Sequence, residues 1–230
     1  MRRLSLIFAC LAPLTVACTP LFFQPSTEHY RERTLLPHAS DDVYFESGDG
    51  TTLHGWYFQS ENPEKSLGTI VHFHGNAQNI STHFLGVAWL LNAGYDLFVF
   101  DYRGYGKSDG TPFPAGAKVD GVAAIQIARS LTKHRNDRVI VYGQSLGGVI
   151  ATSSLAAMGA RDWITDFVIE SSFYSYKTIA REKLASFWLT WPLQWLSFFL
   201  VSNDYGINRQ SKKVQVERIL IIHGKKDKIV

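Results

Sequence analysis

Cysteine is almost missing from this chain of 230 residues: there are two, Cys10 and Cys18, and both fall within the first 18 positions. None is left in the body for a disulfide. With no Cys-x-x-Cys pair, a cysteine-based zinc or redox site is excluded. A surplus of one charge sign is also missing. Lys and Arg number 23 against 20 Asp and Glu, a formal +3, and Arg2 and Arg3 supply two of those charges at the extreme N-terminus. The remainder is near neutral, which gives no electrostatic case for a nucleic-acid partner. Long apolar runs are lacking too. The N-terminal one, Leu4 to Ala17, is about 14 residues, short of the roughly 20 that a spanning helix needs, and Pro13 interrupts it. What is present is an ordinary globular balance, 46% hydrophobic and 19% charged, at a length compatible with one domain. There is no internal repeat and no low-complexity segment.

The opening "MRRLSLIFACLAPLTVACTP" has a basic start, an apolar stretch and then small residues, the layout of a secretory signal. Its "LTVAC" resembles the lipobox of bacterial lipoproteins, with Thr15 where that pattern usually has leucine. The resemblance implies that Cys18 is acylated and anchors the chain to a membrane of the cell envelope. Ordinary secretion and an uncleaved anchor remain the alternatives. Residues 19–40 are dotted with proline and read as a tether into the fold.

From residue 41 strands and helices alternate. Residues 42–60 read as a β-hairpin turned at Gly48-Asp49-Gly50. "GTIVHFH" (68–74), "YDLFVFDY" (95–102), "RVIVYG" (138–143), "DFVIESS" (166–172) and "RILIIHG" (218–224) read as strands. Phe84, Val87, Ala88 and Leu91 mark a helix over 79–92 closed by Gly94, and Val119, Ala123, Ile127 and Leu131 mark another over about 115–134. A third opens at Ser145 and runs to about Met158. The strands from 68 on are continuously apolar, as in a parallel sheet covered on both faces by helices. The fold class is therefore α/β.

Gly143-Gln144-Ser145-Leu146-Gly147 fits G-x-S-x-G between an expected strand and an expected helix, the context the motif requires. A nucleophilic serine there must occupy a sharp, strained turn. A side chain at 143 or 147 would collide with the neighbouring strand or helix, and Gly148 and Ala151 extend the small face. The serine would then stand at a helix N-terminus, where backbone N–H groups favour developing negative charge. The bland alternative is a glycine-rich turn with a capping serine.

Here the chain resembles the α/β-hydrolases, in particular the BEM46-like serine hydrolases often grouped with serine aminopeptidases. The matching stretches are "HFHGNAQN" (72–79), "FDYRGYGKSDGTP" (100–112), "VYGQSLGG" (141–148), "ESSF" (170–173) and "IIHGKKDKIV" (221–230). The resemblance implies a mostly parallel sheet flanked by helices, no cofactor, and Ser145 as nucleophile. It places oxyanion donors at the backbone N–H groups of Leu146 and Asn76. His72-x-His74 could instead be read as a metal pair, but it lacks further ligands nearby, and His74 reads better as a brace for the loop. The acid falls on Asp227, with Glu170 as runner-up, or else as a hydrogen-bonded loop carboxylate.

The general base breaks the pattern. In this fold the histidine follows the acid, yet the histidines are 29, 38, 54, 72, 74, 83, 134 and 223, all before Asp227. His223 reads as a structural group at a strand end. The final strand and helix of the sheet are missing as well. Two expectations compete: a C-terminally truncated sequence, or a binding protein descended from the enzyme. On either, the chain is expected to be a crippled catalyst with an exposed sheet edge.

Between the last two strands lies an insert at about 173–215 that holds Phe187, Trp188, Trp191, Trp195, Phe198 and Phe199. Helices packed against the core are one reading; a small cap lining an acyl cleft or facing lipid is the other. Pro192 argues against a spanning helix. The expectation is a membrane-tethered serine hydrolase acting on carboxylic esters, acyl thioesters among them. A peptidase or amidase of the same fold, and a non-catalytic binding protein, are the alternatives.

Overall fold

A computed structural model describes residues 22–132, 138–186 and 188–224. Cys18, His134, Phe187 and Asp227 lie outside the described residues. The hairpin is formed by β1 (Ser40–Glu46) and β2 (Thr52–Phe58), paired antiparallel from Ser40↔Phe58 to Glu46↔Thr52. Its turn closes through Ser47 N–H donating to the Thr51 carbonyl at 2.8 Å, with Gly50 at φ 83° where a side chain would be strained.

β3 (Thr69–Phe73), β4 (Asp96–Phe100), β5 (Val139–Gln144), β6 (Ile164–Glu170) and β7 (Arg218–Ile222) follow. The seven strands lie in the order β1-β2-β4-β3-β5-β6-β7. β2 meets β4 antiparallel, and every pair from β4 to β7 is parallel. The chain leaves β3 for β4 on one side and reaches β5 on the other. The order therefore reverses at the C-terminal ends of β3 and β5, the place where open α/β sheets form their crevice.

Both faces of the central strands are covered, as their unbroken apolar runs require. On one face Trp56, Phe58, Ile70, Leu97, Val99 and Ile140 pack with Phe84, Val87, Leu90 and Leu91. Those four come from the expected 79–92 helix, which is divided into α1 (Ile80–Val87) and α2 (Trp89–Asn92). The other face is closed by α3 (Pro114–Leu131) and α4 (Leu146–Met158). The stripe that α3 buries matches the expected one only in part. Of the expected residues Ala123 is buried, Ile127 and Leu131 pack partly covered against the core and Val119 is partly covered, while Ala117, Gly121, Ala124 and Ala128 are buried as well. Small residues let the helix come close: a Cβ on Gly121 would stand 2.3 Å from the Ser154 Oγ and 2.6 Å from a Phe73 ring carbon. Bulk on that stripe would push the helix off the sheet.

The expected tether is irregular but, from Phe22 on, is part of the folded body. Phe22 and Phe23 are buried in the core, and Phe22 meets the Tyr176 ring at 5.0 Å. Among the described residues no helix is long and apolar enough to cross a membrane.

Candidate active site

Ser145 stands between β5 and α4 with φ 52° and ψ −118°, a conformation that non-glycine residues rarely hold. Three bonds fix it there. Its N–H donates to the Glu170 carbonyl at 2.9 Å, and its own carbonyl accepts from the Gly148 N–H at 3.1 Å and the Ser172 hydroxyl at 2.7 Å. The glycines do what the sequence asked of them. A Cβ on Gly143 would lie 2.6 Å from the Gly148 Cα, and one on Gly147 would lie 2.0 Å from the Phe73 carbonyl oxygen. A Cβ on Gly148 would meet the Ser172 Oγ at 2.6 Å. No side chain fits any of these points without moving backbone or a bonded hydroxyl.

The loop after β3 reaches the same place. A Cβ on Gly75 would be 3.6 Å from the Ser145 Cβ. Next in the chain is Asn76, whose side-chain oxygen is fully engaged. The Asn76 Oδ1 accepts from the Ala77 N–H at 2.9 Å, the Gln24 N–H at 2.9 Å and the Tyr105 hydroxyl at 3.1 Å. Leu146 is the first residue of α4, so its N–H has no intrahelical partner. The structure thus brings Ser145, Leu146 and the Gly75-Asn76 turn together at the sheet's reversal point. Asp227 and Cys18 lie outside the described residues.

His74 braces the loop. It is buried, its Nδ1 donates to the Gly75 carbonyl at 2.7 Å, and its ring lies 4.4 Å from Tyr102, whose hydroxyl donates to the His74 carbonyl at 3.0 Å. His72 is buried in β3 with neither ring nitrogen hydrogen-bonded; burial holds its pKa well below the usual histidine value. His223 is exposed.

His83 is the neighbour that the sequence reading passed over. Its Cε1, like the Ser145 Cβ, lies 3.6 Å from the point a Gly75 Cβ would occupy. Its Nε2 donates to the Ala77 carbonyl at 3.0 Å, and burial, reinforced by His74, lowers its pKa to about 4. It is therefore a neutral wall of the site at neutral pH. The only signal in sequence was its position one turn into the helix after the loop.

Glu170 ends β6 with its carboxylate occupied: Oε2 accepts from the Tyr142 hydroxyl at 2.8 Å and the Gln144 Nε2 at 3.1 Å. Glu170 is hydrogen-bonded, as the alternative weighed from sequence had it, but it stands on a strand rather than in a loop. Among the described residues no group of three or more His, Cys, Asp or Glu converges as a metal site would require.

Comparison with known proteins is consistent with this geometry. The family model described as serine aminopeptidase, S33, matches residues 64–216. The chain belongs to that family of α/β-hydrolases. Relatives of the family extend across kingdoms. The uncharacterized protein YfhR of Escherichia coli strain K12 is 34% identical over 196 residues, 84% of this chain and 65% of that protein. The chain therefore spans a little under two thirds of that relative. The bem46 protein of Schizosaccharomyces pombe is 36% identical over 56% of this chain and 43% of its own length. Among solved structures, an esterase from Pyrococcus furiosus superposes with a TM-score of 0.68 at 22% identity, covering 91% of this chain and 79% of that one. At that identity the likeness establishes the fold, seven strands in a mostly parallel sheet between helices.

Proposed function

We propose that this member of the family is a serine hydrolase that cleaves carboxylic esters, acyl thioesters among them, through an acyl-enzyme. The observation that carries this reading is the strained Ser145 turn facing the Gly75-Asn76 loop, 3.6 Å from the Gly75 Cβ position. In the reading, the Ser145 Oγ attacks the carbonyl carbon and yields its proton to a base. The carbonyl oxygen takes up the negative charge between the Leu146 and Asn76 N–H groups. The tetrahedral adduct then expels the alcohol or thiol, which takes the proton, and water returns the acid by the same route. Asp227 serves as the carboxylate that orients the base.

An ester is favoured over a peptide by the insert that starts beside the nucleophile. Ser172 bonds the Ser145 carbonyl, and residues 184–203 carry no charged side chain. An aromatic, uncharged stretch suits an acyl chain better than a charged peptide. The family's description keeps aminopeptidase activity as the second reading. The location proposed is the cell envelope, with the chain anchored through a lipid on Cys18.

The test supplies the base from solution. Imidazole added to the 230-residue chain should give saturable hydrolysis of p-nitrophenyl butyrate, above the imidazole background, that Ser145→Ala removes. Aminoacyl p-nitroanilides should react far more slowly. Equal rates for Ser145→Ala and the parent sink the proposal, and a preference for the anilides selects the aminopeptidase.

A further inference from the structure

The insert packs against the core through its helix, but most of its large aromatics do not. Trp188 is 80% exposed, Leu189 61%, Trp191 59%, Trp195 56% and Phe199 79%. The segment holds to the body by other residues: Tyr176, Ala180, Ser197 and Val201 are buried. A cluster of large apolar side chains this dense is not the scatter of single exposed residues that any surface shows. Tryptophan is also the residue that settles at the boundary between lipid and water, with an apolar ring and one N–H donor.

Two further observations say what covers it. The first is charge. α5 (Tyr176–Ala185) turns Lys177 and Arg181, one turn apart, toward the aromatics. Lys177 Nζ donates to the Phe198 carbonyl at 2.7 Å. Arg181 lines a cleft of about 380 Å³ together with Trp191, Pro192, Gln194, Trp195 and Phe198. Lys177 and Arg181 stand beside the tryptophans, Glu182 follows Arg181 in α5, and residues 184–203 carry no acidic side chain; a cation at the border of such a stretch suits a lipid phosphate above an acyl boundary. The second is the path of the chain. Phe22 packs against Tyr176 at the start of α5, and Cys18 is four residues earlier. Fully extended, four residues reach at most about 14 Å. A lipid on Cys18 would therefore hold the bilayer within that reach of the start of α5.

We infer that the aromatic insert is the face by which the protein lies on an anionic lipid bilayer, with Trp191, Trp195 and Phe199 at the acyl boundary and Arg181 at the phosphates. The inference extends the proposed envelope location, and rests on it for the anchor but not for the insert. On the membrane the nucleophile's crevice and the lipid phase are then neighbours, joined by the insert.

The test uses the full chain reconstituted in vesicles of phosphatidylglycerol and brominated phosphatidylcholine, with tryptophan quenching as the readout. Expected are quenching of the parent, a marked fall in Trp191→Phe/Trp195→Phe with the remainder removed when Trp188→Phe is added, and weaker quenching in Arg181→Gln that matches the parent's level when phosphatidylglycerol is left out of both. Quenching that the double variant does not change, or its absence in membrane-bound parent, overturns the inference. So does unquenched tryptophan combined with a shift in acyl-length preference in the double variant, which would assign the aromatics to substrate instead. Cys18→Ser separates the two proposals: loss of anchoring with quenching kept in the bound fraction supports the insert alone, and mass analysis of Cys18 decides the anchor.

Discussion

A non-glycine residue at Ser145's dihedrals costs about 1–3 kcal/mol, and a strained turn persists only where its surroundings over-determine it. Here two carbonyl bonds and one N–H bond do so. His83 is the titratable side chain at this spot, and its environment sets a pH dependence. Its pKa is about 4 in the folded protein, because burial disfavours the charged ring, against about 6.5 in an unfolded chain. Between those values the unfolded state binds the extra proton, so stability falls as the pH drops from about 7 toward 4 and is not lost further below that. The full span is about 3 kcal/mol. Urea midpoints at pH 7 and pH 4.5 should differ less in His83→Gln, which keeps a donor for the Ala77 carbonyl. The difference should shrink rather than vanish, since buried His72 is lowered in the same sense. An unchanged difference would remove His83 from the account.

The loop after β3 owes its shape to an element with no periodicity. Ala77 and Gln78 hold φ 63° and 57°, consecutive positions in the left-handed region. Their strain is held from outside by residues 22–30. Gln24 N–H donates to Asn76, Asn79 Nδ2 donates to the carbonyls of Ser26 and Glu28 at 2.9 and 2.7 Å, and Tyr30 N–H donates to the Ser81 hydroxyl at 3.0 Å. Asn79 also caps α1 through the Ser81 N–H. Asn76→Ala removes the acceptor on which three donors converge. It should slow serine labelling by a fluorophosphonate about 100-fold in the limiting rate, the order of one lost oxyanion donor, with the half-saturating concentration unchanged. Amide exchange at 75–80 should rise in parallel; faster exchange without slower labelling would make the clamp purely structural. This element also marks how far the sequence could be read. Runs such as "TIVHF" and "LFVF" declare buried strands because every residue is apolar, and "GQSLGG" declares its turn because only glycine fits beside Gly148 and the Phe73 carbonyl. Phe22 to Tyr30 declares nothing. Its backbone is satisfied by side chains 50 to 80 residues away, and such bonds leave no pattern of spacing. The α3 stripe was legible only in part for a related reason: hydrophobic size pointed to Val119 and Leu131, whereas close approach to the sheet selected glycine and alanine.

Among the described residues, the two edges of the sheet differ in charge. β1, the edge at the hairpin, carries Asp41, Asp42 and Glu46 along its length, charges that discourage pairing with a second chain. β7 is bonded to β6 on one side, and among the described residues it has no strand on the other. All five of its residues are exposed, Ile219 at 51%, Leu220 at 55%, Ile221 at 69% and Ile222 at 43%. The groove beside it, about 650 Å³, continues the apolar surface through Ile70, Ile140, Tyr142 and Val168. Rich in isoleucine, uncharged and paired on one side alone among the described residues, "ILII" has the composition of a strand that recruits another strand. A preparation of the 230-residue chain is therefore expected to self-associate with rising concentration, seen as a growing scattering mass by light scattering after size exclusion. Ile221→Lys places a charge mid-strand without touching the Ser145 turn or the core, and should return the mass toward that of a monomer while leaving serine labelling intact. If the lysine variant associates as the parent does, the contact lies elsewhere. The exposed insert is then the next surface to test, and Trp191→Phe/Trp195→Phe distinguishes it, because only association through the insert would respond to that pair.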